Sequence, residues 1–151
     1  MAIYQIVEIG DDVLRQKAIK IREITPQVIK LLDNLRDTLK DSEVGVGLAA
    51  PQIGISKCAI VVDFEQYYEL LNPEIVASEG TEVDSEGCLS VPGVVGDVER
   101  AFQVTVVGLN RGGEKVVIEA KGLLARIFQH EIDHLNGILF VDRAKNIEVV
   151  E

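Results

Sequence analysis

Both histidines of this chain lie within residues 130–134, which read HEIDH, and this pattern constrains the fold more than any other. Apolar residues recur at helical spacing before it and an Asn-Gly pair follows it, so we predict a helix over residues 122–135. Side chains four positions apart share one face of a helix, so His130 and His134 can bind one metal ion. Glu131 would lie beside that ion, where its carboxylate can take a proton from bound water.

A hydrolytic metal site usually has three protein ligands, so one more ligand must come from elsewhere in the chain. Proteases that carry a third histidine six positions after the motif are excluded, because Phe140 stands there. The short stretch after His134 also leaves little room for a distant carboxylate ligand. Upstream, Cys88 lies in a stretch with glycine and proline, and a thiolate binds divalent transition metals strongly. Cys58 lies in an apolar run and is expected to be a small core residue.

The remaining patterns predict an α+β fold, with mixed or antiparallel sheets around the metal-binding helix. Thr25 and Pro26 are typical of a helix start, and apolar spacing predicts an amphipathic helix over residues 26–40 near the N-terminus. Strands are predicted at 58–62, 70–76, 102–109 and 115–119, the last two as a hairpin. Pro73 cannot donate to a strand ladder, so 70–76 is predicted to be an edge strand.

Glycines and a proline make residues 79–100 loop-like. Alternating apolar residues at 147–150 predict a short strand or a frayed tail.

The length of 151 residues predicts a single domain over residues 1–151.

Charge and composition exclude several classes of function. The 15 basic and 25 acidic residues give a net charge of −10, which disfavours stable binding to nucleic acid or to an anionic membrane. Two cysteines cannot form the disulfide framework of a small secreted domain. The first residues do not resemble a signal peptide, and no apolar run is long enough to span a bilayer, so we expect a cytoplasmic protein.

Three segments, taken together, resemble the signature motifs of the peptide deformylase family and occur in the same order. They are GVGLAAPQ at 45–52, EGCLS at 86–90 and QHEIDH at 129–134. The resemblance extends over nearly the whole chain, from GDDVL at 10–14 to LFVD at 139–142. Each motif alone is a weak signal, but three in order are specific.

The resemblance implies a metal-dependent hydrolase that removes the formyl group from N-terminal formylmethionine and releases formate. Cys88, His130 and His134 match the family's metal ligands, with Fe²⁺ as the natural metal and Zn²⁺, Ni²⁺ or Co²⁺ able to replace it. Glu131 matches the carboxylate that serves as general base and then acid while a metal-bound water attacks. The side-chain amide of Gln52 and the backbone N–H of Leu89 match the donors to the formyl oxygen.

The same resemblance implies that N-formylmethionyl peptides emerging from the ribosome bind as an added β-strand. The backbone of Val46 and Gly47 would pair with the peptide, while Val46, Leu123 and Ile127 would line the methionine pocket with the ring of His130. Simple core packing is the alternative for Leu123 and Ile127. Family members with a long basic C-terminal helix use it at the ribosome. This chain has an acidic tail instead, which argues against such docking. We also expect the protein to be a monomer.

Two other functions compete with this interpretation. One is a metalloprotease that cuts internal peptide bonds, against which the missing third histidine and the short tail argue. The other is a non-catalytic relative that binds metal or formyl peptide without turnover. The presence of Glu131, Gln52 and Cys88 argues against that relative.

Overall fold

The predicted helix around HEIDH is present as α2, and the other elements lie around it. The computed structural model describes residues 3–150. Its helices and strands, in chain order, are α1 (Pro26–Asp41), β1 (Gly47–Ala49), β2 (Ala59–Phe64), β3 (Gln66–Glu79), β4 (Glu82–Cys88), β5 (Val91–Arg100), β6 (Gln103–Leu109), β7 (Lys115–Lys121), α2 (Gly122–Leu135), α3 (Phe140–Arg143) and β8 (Lys145–Val149).

The strands form two antiparallel sheets. One sheet has the order β1-β2-β3-β6-β7, and the other has the order β4-β5-β8. Phe128 and Ile132 of α2 are buried against apolar side chains of the first sheet, including Val62 and Val106. The predicted α+β fold with antiparallel sheets around this helix is therefore confirmed.

Helix α1 begins where its sequence predicts. The Thr25 hydroxyl accepts a hydrogen bond from the Val28 amide at 3.3 Å, and Pro26 occupies the first turn. Its leucines at helical spacing are buried in a second apolar cluster with Leu48 and Val61 of the first sheet. That packing holds β1, and the segment that follows it, against the rest of the sheet.

Strand β3 corrects the prediction of an edge strand at 70–76, because it lies between β2 and β6. Pro73 falls where the pairing with β6 shifts register, between Leu71 and Glu74, so its missing donor breaks no regular ladder. The preceding Asn72 has a φ of 50° and its side chain bonds the backbone of Ile21. A bulge therefore lets proline sit in a central strand.

The prediction that residues 79–100 form a loop is wrong, because β4 and β5 pair there as a hairpin. Gly96 marks a close approach rather than a loop. A Cβ atom at Gly96 would lie 2.8 Å from the Cβ atom of Ala144, in the turn before β8. Glycine in this hairpin thus permits packing against the last part of the described chain.

Two smaller predictions are also decided by the structure. Residues 145–149 form β8, which pairs with β5, in agreement with the predicted short strand. Cys58 is only partly buried and precedes β2, so it packs against the core rather than inside it.

Within residues 3–150, no helix has the length and apolar character that crossing a bilayer requires.

Candidate active site

The structure brings together the three residues predicted to bind metal. Cys88 ends β4, while His130 and His134 lie one turn apart on α2. One ligand atom from each lies within 4.8 Å of the others. The Cys88 Sγ atom is 3.3 Å from Nε2 of His134. The end of β4 and helix α2 therefore bring one thiol and two imidazoles close together.

The donor set suits a divalent transition metal, which prefers sulfur and imidazole nitrogen ligands. His130 uses its Nδ1 atom to bond a Glu86 oxygen at 2.9 Å, which directs its Nε2 atom toward the centre. Two buried side-chain atoms of the described residues lack a hydrogen-bond partner, and they are Oε1 of Glu131 and Nδ1 of His134. The Glu131 oxygen lines the cavity beside the cluster, so the sulfur and imidazole donors with this free carboxylate oxygen fit a hydrolytic metal centre.

Glu131 lies in the same turn of α2 and is only 4% exposed. Burial raises the pKa of Glu131 to about 7, against the opposing effect of positive charge on His130. A carboxyl group with a pKa near neutrality can both take and return a proton under physiological conditions. The environment of Glu131 therefore suits an acid–base role.

The two imidazoles have opposite tendencies to protonate. Burial and the charge of His130 lower the pKa of His134 to about 3, which keeps that ring neutral. Burial also acts to lower the pKa of His130, but hydrogen bonds to Cys88 and Glu86 outweigh it and raise that pKa. A neutral imidazole is the form that binds metal, and His134 is held in that form.

Behind His130, Glu86 is the centre of a buried ion-pair network. Arg100 donates to both Glu86 oxygens at 2.8 and 2.9 Å, and Arg126 donates to one of them at 2.6 Å. Burial raises the pKa of Glu86, but hydrogen bonds from His130 and Arg100 outweigh it and lower that pKa to about 2. Arg100 also donates to Asp133 at 2.7 Å, so Asp133 is part of the same ion-pair network.

Gln52 is almost fully buried and its amide has a defined orientation. Its Oε1 atom accepts the Ala49 amide at 2.9 Å, so its Nε2 atom faces the hydroxyl of Ser90 at 3.1 Å. The same Nε2 atom lies 3.6 Å from Sγ of Cys88. The predicted donor therefore points at the cluster. Leu89 lies in the turn between β4 and β5, next to Cys88.

A cavity of about 550 Å³ opens beside the cluster. Its lining includes the predicted substrate residues Val46, Gly47, Leu123 and Ile127, together with Gln52, Leu89 and His130. Leu123 is 49% exposed, whereas Ile127 is 5% exposed and also belongs to the first apolar cluster. Ile127 therefore does both things that the sequence left open: it lines the cavity and it packs in the core.

Several residues at the site were not among the predicted catalytic or binding residues, including Ser90, Arg126 and Val150. Ser90 is fully buried and accepts a hydrogen bond from Gln52, and its place in the EGCLS segment was the only signal. Arg126 donates to Glu86 and lines the cavity, and its place directly before Ile127 is the signal that the sequence offers. Val150 lines the cavity although it follows β8, and no sequence motif marks it.

The family model described as polypeptide deformylase matches residues 3–150. Peptide deformylase of Carboxydothermus hydrogenoformans is 65% identical over 97% of this chain and 97% of its own length. A peptide deformylase crystal structure from Legionella pneumophila has a TM-score of 0.92 at 44% identity, covering 96% of this chain and 88% of that chain. A crystal structure of a peptide deformylase from Synechococcus elongatus in complex with actinonin has a TM-score of 0.91 at 44% identity. The match covers 95% of this chain and 79% of that chain.

Proposed function

Because the chain belongs to the polypeptide deformylase family, we propose that the cluster around Cys88, His130 and His134 is its active site. The chain is a metal-dependent hydrolase that removes the N-formyl group from nascent peptides. One observation carries the assignment of residues. The unpartnered, buried oxygen of Glu131 lies beside the only such three-ligand group among residues 3–150, at the wall of a cavity.

Cys88, His130 and His134 would hold a divalent metal ion, which would supply the Lewis acidity that activates water and polarises the formyl group. Glu131 takes the proton that the attacking water loses and delivers it to the amine nitrogen as the C–N bond breaks. Formate and a free N-terminus result. The burial that raises the pKa of Glu131 makes both proton transfers feasible near neutral pH.

Gln52 and Leu89 stabilise the negative charge that develops on the formyl oxygen. One Nε2 hydrogen of Gln52 is held by Ser90, so the orientation of the other is defined before substrate arrives. The backbone N–H of Leu89 supplies the second donor from the turn after Cys88. Donors fixed in advance need no reorganisation during the reaction, which is why such groups contribute strongly to catalysis.

The peptide binds along β1, which is one of the two edge strands of its sheet. The carbonyl of Val46 already accepts the Asp63 amide at 2.8 Å. Since hydrogen-bonding groups alternate along a strand, the Gly47 amide and carbonyl face the open edge. The Val46 side chain, with Leu123 and Ile127, lines the space for methionine. Backbone pairing supplies affinity and the pocket supplies selection.

The finer features of the function are proposed mainly from the family resemblance, to which the donor set and the net charge add support. We assign Fe²⁺ as the resident metal, with Zn²⁺, Ni²⁺ or Co²⁺ as substitutes that a thiolate and two imidazoles also accept. The chain acts in the cytoplasm as one monomeric catalytic domain on formylmethionyl peptides emerging from the ribosome. Its net charge of −10 disfavours lasting contact with ribosomal RNA.

The test combines two substrates, two variants and a metal count. Formate release is measured from formyl-Met-Ala, and internal cleavage is measured with an unformylated protein. We expect formate release without internal cleavage, and a fall of about 100-fold or more in Glu131→Gln with metal content unchanged. Glu119→Gln, at an exposed position on β7, is the matched control and should match wild type. Metal binding without formate release would support the non-catalytic relative, and internal cleavage would support the protease.

A further inference from the structure

Strand β8 brings a residue from far along the chain to the wall of the substrate cavity. Val149 pairs with Val94 of β5, and the Val150 amide donates to the Gly93 carbonyl at 2.7 Å. Gly93 and Val94 line the cavity, and Val150 lines it with them. The position of Val150 is thus set by main-chain hydrogen bonds to a strand that already borders the site.

The wall near Val150 is apolar. Pro92 and Val94 are its neighbours on β5, and Val44 and Leu123 are further aliphatic residues of the cavity lining. Val44 is 81% exposed and Val150 is 45% exposed, so both can contact a ligand without rearrangement of the core. The charged groups in the lining are Glu86, Arg126 and Glu131 with the imidazole of His130, and these belong to the catalytic cluster.

We propose that Val150 contacts the third residue of the formylated peptide and favours an apolar side chain there. The proposal rests on the proposed function, in which the peptide is an added strand. Side chains at positions one and three of a strand share a face and lie roughly 7 Å apart. The first side chain occupies the space bounded by Leu123 and Ile127, so the third extends along the same wall.

The neighbouring Val149 offers a matched control. It is 81% exposed, lies on the same strand and is absent from the cavity lining, whereas Val150 contributes to that lining. A lysine at either position adds the same charge to the same segment. Only at position 150 would the ammonium group meet the third side chain of the substrate.

The experiment compares formyl-Met-Ala-Leu with formyl-Met-Ala-Asp in wild type, Val150→Lys and Val149→Lys. We expect wild type to prefer leucine in kcat/KM, and Val150→Lys to lower the Leu/Asp ratio by about fivefold through attraction of the aspartate. Val149→Lys should keep the wild-type ratio. All three proteins should cleave formyl-Met-Ala at similar rates, because that peptide has no third side chain.

An unchanged ratio in Val150→Lys would overturn the proposal. So would an equal shift in both lysine variants, because that result would reflect charge at a distance rather than contact. Failure of wild type to release formate from formyl-Met-Ala would instead contradict the proposed function, so the two failures are distinguishable.

Discussion

Gly47 lies so close to Glu131 that a Cβ atom on Gly47 would be 2.6 Å from the Glu131 Oε2 atom. Glycine at position 47 is therefore what allows the carboxylate to approach β1. A side chain there must displace the Glu131 carboxylate, because real Cβ atoms do not approach other heavy atoms so closely.

We predict that Gly47→Ala lowers kcat by about 100-fold, since a displacement of about 1 Å from the reactive geometry can cost that much. Formate release measures the effect, and metal content should stay at one ion per chain because the three ligands are untouched. Gly112→Ala, in the turn between β6 and β7, is the control and should keep wild-type kcat. A Gly47→Ala enzyme with wild-type kcat would show that Glu131 tolerates displacement.

The same glycine illustrates how far the sequence predicts the site. His130 and His134 could be predicted because helical spacing places them on one face of α2, and that spacing is local. Gly47 was expected to admit a substrate backbone, but its closest neighbour is a side chain from a helix more than 80 residues away. No local pattern records such a contact.

The prediction of a loop over residues 79–100, where β4 and β5 form a hairpin, was wrong for a related reason. Its glycines were interpreted as loop residues, yet Gly96 is needed where Ala144 packs against the strand. Pro73 likewise suggested an edge strand, although a register shift accommodates it in a central one. Gly96 is required by a long-range contact, and Pro73 is accommodated by a bulge. Local propensity predicts neither feature.

Glu86 orients His130, so we predict that Glu86→Gln weakens metal binding by about 10-fold to 100-fold. The variant also leaves Arg126 without its buried counter-charge and removes one of the two carboxylates that pair with Arg100, which should lower the free energy of unfolding by about 3 kcal/mol. Competition with a chelator measures the first effect, and urea unfolding of the metal-loaded protein measures the second.

Glu74→Gln is the control for that substitution, because Glu74 forms an exposed ion pair with Lys20. Such pairs contribute less than about 1 kcal/mol, so Glu74→Gln should leave both measurements close to wild type. Equal behaviour of the Glu86 and Glu74 variants would mean that the buried network does not support the metal ligands.

The two cysteines should differ in reactivity and in what their loss does. Burial raises the pKa of the Cys58 thiol, so less of it is thiolate at neutral pH and its labelling by iodoacetamide should be slow. Its labelling rate should still rise with pH in the range where an ordinary thiol is already deprotonated and its labelling rate is constant. Removal of metal with a chelator should expose one additional reactive thiol, that of Cys88. Mass spectrometry of the labelled peptides identifies each site.

Substitution distinguishes the same two residues by function. Cys58→Ala should keep full metal content and kcat, because Cys58 packs against the core and does not line the cavity. Cys88→Ala should lose metal affinity, because it removes the thiolate ligand. Loss of metal from the Cys58 variant, or its retention in the Cys88 variant, would place the third ligand elsewhere.

The thiolate ligand predicts a difference in air between two metal forms. Cys88 is partly exposed and lines the open cavity, so dissolved oxygen can reach the centre. Ferrous iron can be oxidised and can promote oxidation of the Cys88 sulfur, whereas Ni²⁺ resists that reaction. We expect the iron-loaded enzyme to lose activity in air several-fold faster than the nickel-loaded enzyme, with both stable under argon. Residual formate release over time measures the loss, and equal lifetimes in air would contradict it.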